Sequence, residues 1–386
     1  MSTAVINIGN SHDGGPTGEP IPGDALVCED GHISWVGDTA DVATGDHHAV
    51  LDADGATVVP GWIDSHVHTT FGDYTPRQRT VGFLESYLHG GTTRAISASE
   101  VHTPGRPSDV TGVKALAIAA QRCFADYRPG GVTVHAGSVI LEPGLTREDF
   151  REVRAAGVWM AKAGFGAFAS PDDYAPVVHA ATAEDVLVMC HTGGGSIPGS
   201  LSKIGADALL KMRPRVAGHV NGGPTRLAPE ELELLVDQAP EMALQVVQAG
   251  NLRAAIEVCE LALQADGFHR LLIATDTPTG TGVIPLGMLR QMAELASLGP
   301  LTAKQAITAA TSNVAEVYGL DAGTLQVGRP ADLLVIDAPI GGQADDAFGA
   351  LELGDLPAVA VAITQGEVRF TKSRNTPTAT RSVRQI

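Results

Sequence analysis

The feature that most limits how this 386-residue chain can fold is a regular alternation of strand-like and helix-like segments. Each strand-like segment is a short apolar run. Each is followed by a longer segment with apolar residues three and four positions apart, the spacing of an amphipathic helix. The predicted strands cover residues 63–66, 93–97, 132–137, 158–162, 186–191, 215–219, 242–247 and 271–276. The predicted helices cover residues 77–89, 110–127, 147–156, 172–183, 203–212, 229–238, 252–265 and 286–296.

Eight strand–helix units within about 260 residues match a (β/α)8 TIM barrel in number and in length. An open, doubly wound parallel sheet is the alternative, but it offers no reason for eight repeats. We therefore predict an α/β fold with the barrel in residues 60–320, which end with one further helix at 302–318.

The two ends of the chain carry short β-rich runs broken by Gly, Asp and Pro, a pattern that favours a small antiparallel sheet over further strand–helix units. We predict that residues 1–59 and 321–386 pair into one small β-sandwich domain beside the barrel. The tail from Lys372 is polar and contains Pro377, so we expect it to be loosely ordered or to lie on a neighbouring subunit.

Six residues with metal-binding or acid–base chemistry lie at the ends of the predicted strands. They are His66 and His68 at the first strand, Lys162 at the fourth, His191 at the fifth, His219 at the sixth and Asp276 at the eighth. The carboxyl ends of all barrel strands open onto one face, where active sites of this fold are built. The six side chains are therefore expected to converge.

Four imidazoles and one carboxylate suggest a site for zinc or iron. His66 and His68 are two residues apart, the side-chain period of a strand, so both can reach one metal ion. An isolated pair of this kind would more often be two partly exposed histidines, but the further donors downstream favour a metal centre. Asp276 can serve both as a ligand and as the group that exchanges a proton with bound water.

Lys162 is out of place in such a centre as an ammonium ion. It fits if its amine has captured CO2 as a carbamate, an anionic group with two oxygens that can bridge two metals. The pKa of a free lysine amine is about 10.4, and burial among cations lowers it in the direction this reaction needs. Without its neighbours, Lys162 would equally well be a lysine at the barrel rim.

This arrangement of donors resembles the amidohydrolase superfamily, in its form with two metals and a carboxylated lysine. The resemblance extends over nearly the whole chain and includes the closing segment at residues 312–337. Runs at residues 72–78, 191–200, 221–225 and 372–377 are most similar to the enamidase-like members, which open a cyclic enamide ring.

The resemblance implies two divalent metal ions, Zn/Zn or Fe/Zn, and a hydroxide that bridges them. That hydroxide would attack a cyclic amide such as a lactam, enamide or imide. Asp276 would take the hydroxide proton and pass it to the departing nitrogen. The same resemblance suggests a homotetramer.

Substrate contacts are expected from loops at the same face of the barrel, at Tyr74, Arg77, His102, Gly194 and Asn221. Arg77 could hold a substrate carboxylate through two hydrogen bonds, or could simply begin the first helix. Gly194 lies in a run of glycines that can let the backbone approach a substrate closely. Tyr74 and His102 could each line the pocket or only pack beside it, and Asn221 is a candidate for a carbonyl or ring contact.

Two other functions fit the same scaffold less well. A deaminase of this superfamily usually carries a Glu three positions after the sixth-strand histidine, but Gly222 stands three after His219, and a deaminase does not need Lys162. A non-catalytic scaffold protein is expected to lose ligands, whereas all six positions are filled here.

A formal net charge of −18 argues against nucleic acid and anionic membranes as partners. No apolar run approaches the length of a membrane span, and the first residues lack the pattern of a signal peptide. The four cysteines are widely scattered without a CxxC pair, which is typical of reduced thiols and predicts a cytoplasmic location. The expected partner is a small-molecule substrate.

Overall fold

The computed structural model describes residues 2–68, 80–101, 105–195, 200–222, 225–278 and 282–386. The strands are β1 Ser2–Ile6, β2 Asn10–Ser11, β3 Ala25–Glu29, β4 His32–Gly37, β5 Ala49–Asp52, β6 Thr57–Pro60, β7 Trp62–Val67, β8 Thr92–Ser97, β9 Thr133–His135, β10 Ser138–Ile140, β11 Met160–Ala163, β12 Leu187–His191, β13 Val216–Gly218, β14 Ala243–Val247, β15 Leu271–Ala274, β16 Leu333–Asp337, β17 Ala358–Thr364, β18 Glu367–Phe370 and β19 Arg384–Gln385. The α-helices are α1 Thr80–Leu88, α2 Val110–Phe124, α3 Arg147–Ala155, α4 Ala175–Thr182, α5 Ala206–Met212, α6 Pro229–Gln238, α7 Leu252–Gln264, α8 Gly287–Ser297, α9 Ala303–Ala309, α10 Ser312–Tyr318 and α11 Ala347–Leu353.

Strands β7 to β15 form a parallel barrel in chain order, with a helix after each strand position, so the predicted TIM barrel is confirmed. Its last strand position returns to its first. The amide of Asp276 donates to the carbonyl of His66 at 2.9 Å, and the amide of His68 donates to the carbonyl of Thr277 at 3.1 Å. These two hydrogen bonds close the barrel at three of the predicted metal ligands, His66, His68 and Asp276.

The third barrel position is divided into two short strands, where the sequence pattern predicted one. Strand β9 pairs with β8, and β10 pairs with β11. Between them, the amides of Gly137 and Ser138 donate to a carboxylate oxygen of the buried Glu100, at 2.8 and 3.0 Å. These amides therefore satisfy a side chain, which accounts for the break.

The barrel interior is filled by apolar side chains from alternate positions of its strands. They belong to a buried cluster that α10 also enters through Val314 and Tyr318, and its strand members are Ile63, Ile96, Met160, Met189, Val216, Ala243 and Leu272. The opposite faces of the same strands pack against the surrounding helices in a larger cluster. The strands are thus buried on both sides, as expected for a parallel barrel.

The helix predicted at residues 302–318 is two helices, α9 and α10, with a break at Ala310 and Thr311. The carbonyl of Ala310 accepts a hydrogen bond from the amide of Ile63 in the first barrel strand, at 3.0 Å. Thr311 has φ −133° and ψ −92°, far from helical values. A tertiary contact with the barrel therefore interrupts a segment whose local pattern is helical throughout.

Both ends of the chain contribute to two five-stranded sheets outside the barrel. Their orders are β19-β5-β1-β3-β4 and β18-β17-β16-β6-β2. One buried apolar cluster contains residues from both sheets, among them Val5 and Leu26 from the first and Val58, Leu333 and Val361 from the second. Among the described residues, no helix is long and apolar enough to cross a membrane.

The polar tail packs against its own chain, so the expectation that it is loosely ordered is wrong. The hydroxyl of Ser373 donates to the carbonyl of His89 at 2.7 Å, and the amide group of Asn375 donates to the carbonyl of Ser86 at 2.8 Å. Further along, Arg384 and Gln385 pair with β5. Polar side chains that bond to free carbonyls at a helix end hold the start of this segment, and Ala379 and Val383 pack against the apolar cluster of the two outer sheets.

We predict that one ion pair in the tail contributes most to its docking. Asp337 is fully buried, and Arg381 both pairs with its carboxylate and donates a backbone amide to it at 2.7 Å. Arg381→Ala leaves that buried charge without its counter-ion, so we expect the free energy of unfolding to fall by about 2 kcal/mol in urea denaturation followed by tryptophan fluorescence.

The matched control is Arg384→Ala, in the same tail. Arg384 is two-thirds exposed and lies 3.6 Å from Asp52, so its loss should cost no more than about 1 kcal/mol. Equal losses in the two variants would contradict the prediction.

Candidate metal centre

Three of the predicted ligands meet where β7 and β15 end. His66 lies in β7, His68 directly follows it, and Asp276 follows β15. The Nε2 atoms of His66 and His68 each lie 3.2 Å from Oδ1 of Asp276. The three donor atoms lie within 4.8 Å of one another, which is compact enough to hold one metal ion.

The other two histidines adjoin this group. His191 ends β12, and His219 directly follows β13. Nε2 of His219 lies 2.8 Å from Nδ1 of His191, and the ring centre of His219 lies 5.4 Å from that of His66. Four imidazoles thus occupy one buried volume, and each presents a ring nitrogen to it.

Lys162, in β11, lies beside the histidines. Its Nζ is 3.4 Å from Nε2 of His66 and 3.0 Å from the sulfur of Met189, and the side chain is almost wholly buried. Burial lowers the pKa of Lys162 to about 8. The structure therefore brings together all six residues that were selected from strand ends.

Two of these residues have backbone conformations that residues other than glycine rarely adopt. Asp276 has φ +57° and His219 has φ +39°, both in the left-handed region. Each such residue costs about 1–3 kcal/mol unless surrounding structure holds it, and these conformations cluster at functional sites. Both occur directly where a barrel strand ends, at the point where the side chain turns into the cluster.

The electrostatics of the cluster suit metal binding. Burial lowers the pKa of His219 to about 4, and that of His66 well below its usual value, so both rings are neutral at pH 7 and keep a lone pair. Burial opposes ionisation of Asp276, yet its pKa lies well below the usual range, in part because of its hydrogen bond with His68. Neutral imidazoles beside an ionised carboxylate are a donor set that fits divalent zinc or iron.

Two supporting residues were not found from the sequence. Gln245, in β14, places Oε1 2.6 Å from Nδ1 of His66. Asp64 accepts from the amides of His66 and Thr275, at 3.1 and 3.0 Å, and burial raises the pKa of Asp64 to about 7. Gln245 is a polar residue in an otherwise apolar buried strand, and that was the available signal for it.

Of the five predicted substrate contacts, Tyr74, Arg77 and His102 lie outside the described residues. Asn221 is fully buried, and its amide is bonded within the protein: Nδ2 donates to the carbonyl of Val247 at 2.9 Å, and Oδ1 accepts from the amide of Val247 at 2.9 Å. These bonds tie the loop after β13 to the end of β14, so the structure favours a loop-positioning role for Asn221 over a substrate contact.

Gly194 lies beside His191, one of the six clustered donors. It has φ +86°, and a Cβ atom there would lie 2.7 Å from Nε2 of His191. Its backbone N–H donates to the hydroxyl of Thr225, and that hydroxyl donates to the carbonyl of Gly194, both at 3.0 Å. The glycine therefore allows the loop after β12 to pass directly beside the imidazole.

The fold and the donor cluster together define a metal-dependent hydrolase of the barrel type, and comparison with known proteins agrees. Residues 57–373 match the model of the amidohydrolase family. The chain therefore belongs to the amidohydrolase family.

Individual relatives narrow this class. The chain is 43% identical to an enamidase from Eubacterium barkeri over 386 residues, which cover all of both chains. A crystal structure of enamidase matches the fold with a TM-score of 0.94, at 43% identity and full coverage of both chains. An imidazolonepropionase from Micrococcus luteus is 27% identical over 379 residues, covering 88% of this chain and 93% of that protein.

We predict that Gly194→Ala displaces His191 and lowers both bound metal and turnover at least about tenfold, because a Cβ at 2.7 Å cannot be accommodated without movement of the ring. Metal content is measured by mass spectrometry of the purified protein. The control is Gly328→Ala, which has a similar φ of +89° but nothing within 4 Å of its Cβ, so it carries only the backbone strain of about 1 kcal/mol. Equal metal content and turnover in the two variants would show that the space at Gly194 is not needed.

Proposed function

We propose that this protein hydrolyses the C–N bond of a cyclic amide, and that a cyclic enamide is its substrate class. The observation that carries the proposal is full-length similarity to an enamidase, at 43% identity, combined with six clustered donors at the carboxyl ends of the barrel strands. A deaminase is less well supported, because Gly222 stands where a catalytic Glu would be expected and because Lys162 is buried within the cluster.

The proposed metal ligands are those that the sequence indicated. His66, His68 and Asp276 would hold one divalent ion, and His191 and His219 a second, with Lys162 shared between them. Zn/Zn and Fe/Zn both suit imidazole and carboxylate donors. When bound, such ions supply a nucleophilic hydroxide near neutral pH and polarise the substrate carbonyl.

Lys162 is proposed to act as a carbamate. Its amine nitrogen bonds to the carbon of CO2 and releases a proton, which yields an anionic group with two oxygen donors. Its position 3.4 Å from Nε2 of His66, with almost no exposure, supports this assignment. A buried ammonium ion there would add positive charge beside the proposed metal ions, at a position where desolvation is costly.

Asp276 is the proposed proton carrier. Its carboxylate is ionised and lies among the ligands, so it can accept the proton of the attacking hydroxide while the new C–O bond forms. It then delivers that proton to the ring nitrogen as the C–N bond breaks. If the ring is an enamide, the nitrogen leaves as an enamine, which tautomerises to an imine. Water then adds to the imine carbon, a carbonyl forms and ammonia is released, without a further residue.

Other features belong to the same proposal. The shared apolar cluster of the two outer sheets supports a single β-sandwich domain built from residues 1–59 and 321–386 around the barrel at 60–320. All four cysteines are unpaired, in line with a reducing, cytoplasmic location. A homotetramer with a small-molecule substrate, and with no nucleic acid or membrane partner, follows from the resemblance and the acidic charge.

The main test combines metal content with turnover. We expect about two metal ions per chain and ring opening of 6-oxo-1,4,5,6-tetrahydronicotinate, with simple cyclic amides and imides as comparison substrates. Asp276→Asn keeps a residue that tolerates positive φ but removes the carboxylate, so turnover should fall by about 10²–10⁴-fold while the circular dichroism spectrum is unchanged.

Each outcome of this test decides one part of the proposal. Absence of bound metal in active protein would overturn the proposed centre. Two metals without turnover of the enamide would retain the hydrolase and reject the substrate class. Normal turnover by Asp276→Asn would remove its role in proton transfer.

We predict that Lys162→Ala loses bound metal, because the shared ligand is gone, and that added acetate or propionate partly restores both metal content and turnover by occupying the vacated space. The control is Lys304→Ala, a lysine on α9 outside the cluster, which should behave as wild type with and without added acid. Failure of every short acid to restore any activity in a folded, metal-supplemented variant would argue against a carbamate.

A further inference from the structure

Gln245 is the one polar residue among the five residues of β14, and its side chain is fully buried. It lies next to the proposed centre without belonging to the donor set. Oε1 is 2.6 Å from Nδ1 of His66, and Nε2 is 2.8 Å from the hydroxyl of Ser65 and 3.4 Å from the carbonyl of Ser65. The side-chain amide of Gln245 therefore links Ser65, in β7, to the ring of His66.

These contacts decide which way the amide faces. The carbonyl of Ser65 can only accept a hydrogen bond, so the group that faces it must be the NH2 of Gln245. The amide oxygen is then the group that faces His66. Because an amide oxygen only accepts, Nδ1 of His66 must carry the proton.

The tautomer of His66 follows directly. An imidazole that binds a metal ion is neutral and carries one proton. With the proton on Nδ1, Nε2 holds the lone pair. That atom faces Oδ1 of Asp276 at 3.2 Å and Nζ of Lys162 at 3.4 Å, within the donor cluster.

We propose that Gln245 is a positioning residue that holds His66 in the tautomer and orientation needed to bind metal through Nε2, with Ser65 holding Gln245 in turn. This inference rests on the proposed function, since it concerns the same centre. Partners of this kind are commonly worth 10–100-fold in metal affinity.

An amide suits this position for a reason of charge. A glutamate would accept the same hydrogen bond, but it would add a further buried carboxylate to those of Asp276 and Asp64, with no cation assigned to it. Glutamine accepts from Nδ1 without that charge. Gln245→Glu therefore preserves the proposed interaction, whereas Gln245→Met preserves the volume and removes it.

The test measures metal affinity of the full-length protein by competition between the protein and a chelator for Zn²⁺. Gln245→Met should bind zinc about 10–100-fold more weakly than wild type, and Gln245→Glu should bind at least as tightly as wild type. In the zinc-loaded, ¹⁵N-histidine-labelled protein, the Nδ1 proton of His66 should be observed in wild type and in Gln245→Glu, and should be lost in Gln245→Met.

The matched control is Gln291→Met, which alters another buried glutamine, on α8, outside the donor cluster. Gln291→Met should leave zinc affinity and the Nδ1 proton of His66 unchanged, with a loss of folding stability comparable to that of Gln245→Met. If Gln245→Met does not fold, Ser65→Ala takes its place. It removes the anchor of the amide and should weaken zinc binding severalfold.

Wild-type zinc affinity in Gln245→Met, or equal weakening in Gln245→Met and Gln245→Glu, would overturn the positioning role. Those results leave the proposed function intact, because wild type would still bind metal and turn over substrate. Failure of wild type itself to bind zinc would instead count against the proposed function.

Discussion

The structure depends on the contact between the first and last strand positions of the barrel. Two backbone hydrogen bonds make it, from Asp276 to His66 and from His68 to Thr277. Asp64 reinforces it by accepting from backbone amides on both sides, those of His66 and Thr275. Residues about 210 positions apart in the chain are thus fixed to within hydrogen-bond distance, so closing the barrel brings His66, His68 and Asp276 together.

The same contact explains how strained backbone can persist there. Asp276 and His219 have positive φ values, which an isolated loop would relax. The amides of Thr275 and Asp276 already donate to residues of β7, and Thr275 also donates its hydroxyl to Asp64. The loop after β13 is held in its turn by the two bonds between Asn221 and Val247. Buried polar bonds of this kind maintain conformations that local sequence alone would not choose.

Sequence periodicity was enough to predict the eight barrel units and, through them, the six clustered donors, because the fold itself sends all strand ends to one face. It could not reveal the break before α10, because that break is associated with a hydrogen bond from the amide of Ile63, in β7, to the carbonyl of Ala310. Gln245 was missed for a similar reason. Its partner lies 179 positions away, so no local pattern distinguishes it from any other buried amide.

The net charge of the proposed centre accounts for both the carbamate at Lys162 and the neutral amide of Gln245. Two divalent ions would bring four positive charges into the proposed cluster of neutral imidazoles and the ionised carboxylate of Asp276. Lys162 as an ammonium ion would add a fifth positive charge in a buried site, whereas as a carbamate it would contribute a negative one. Replacing the ammonium ion by a carbamate changes the charge of Lys162 by two units, at a buried position where desolvation of a charge is most costly. The same argument explains a neutral amide beside His66: the charges that stabilise the centre are better placed on groups that touch the metals than on groups that only orient them.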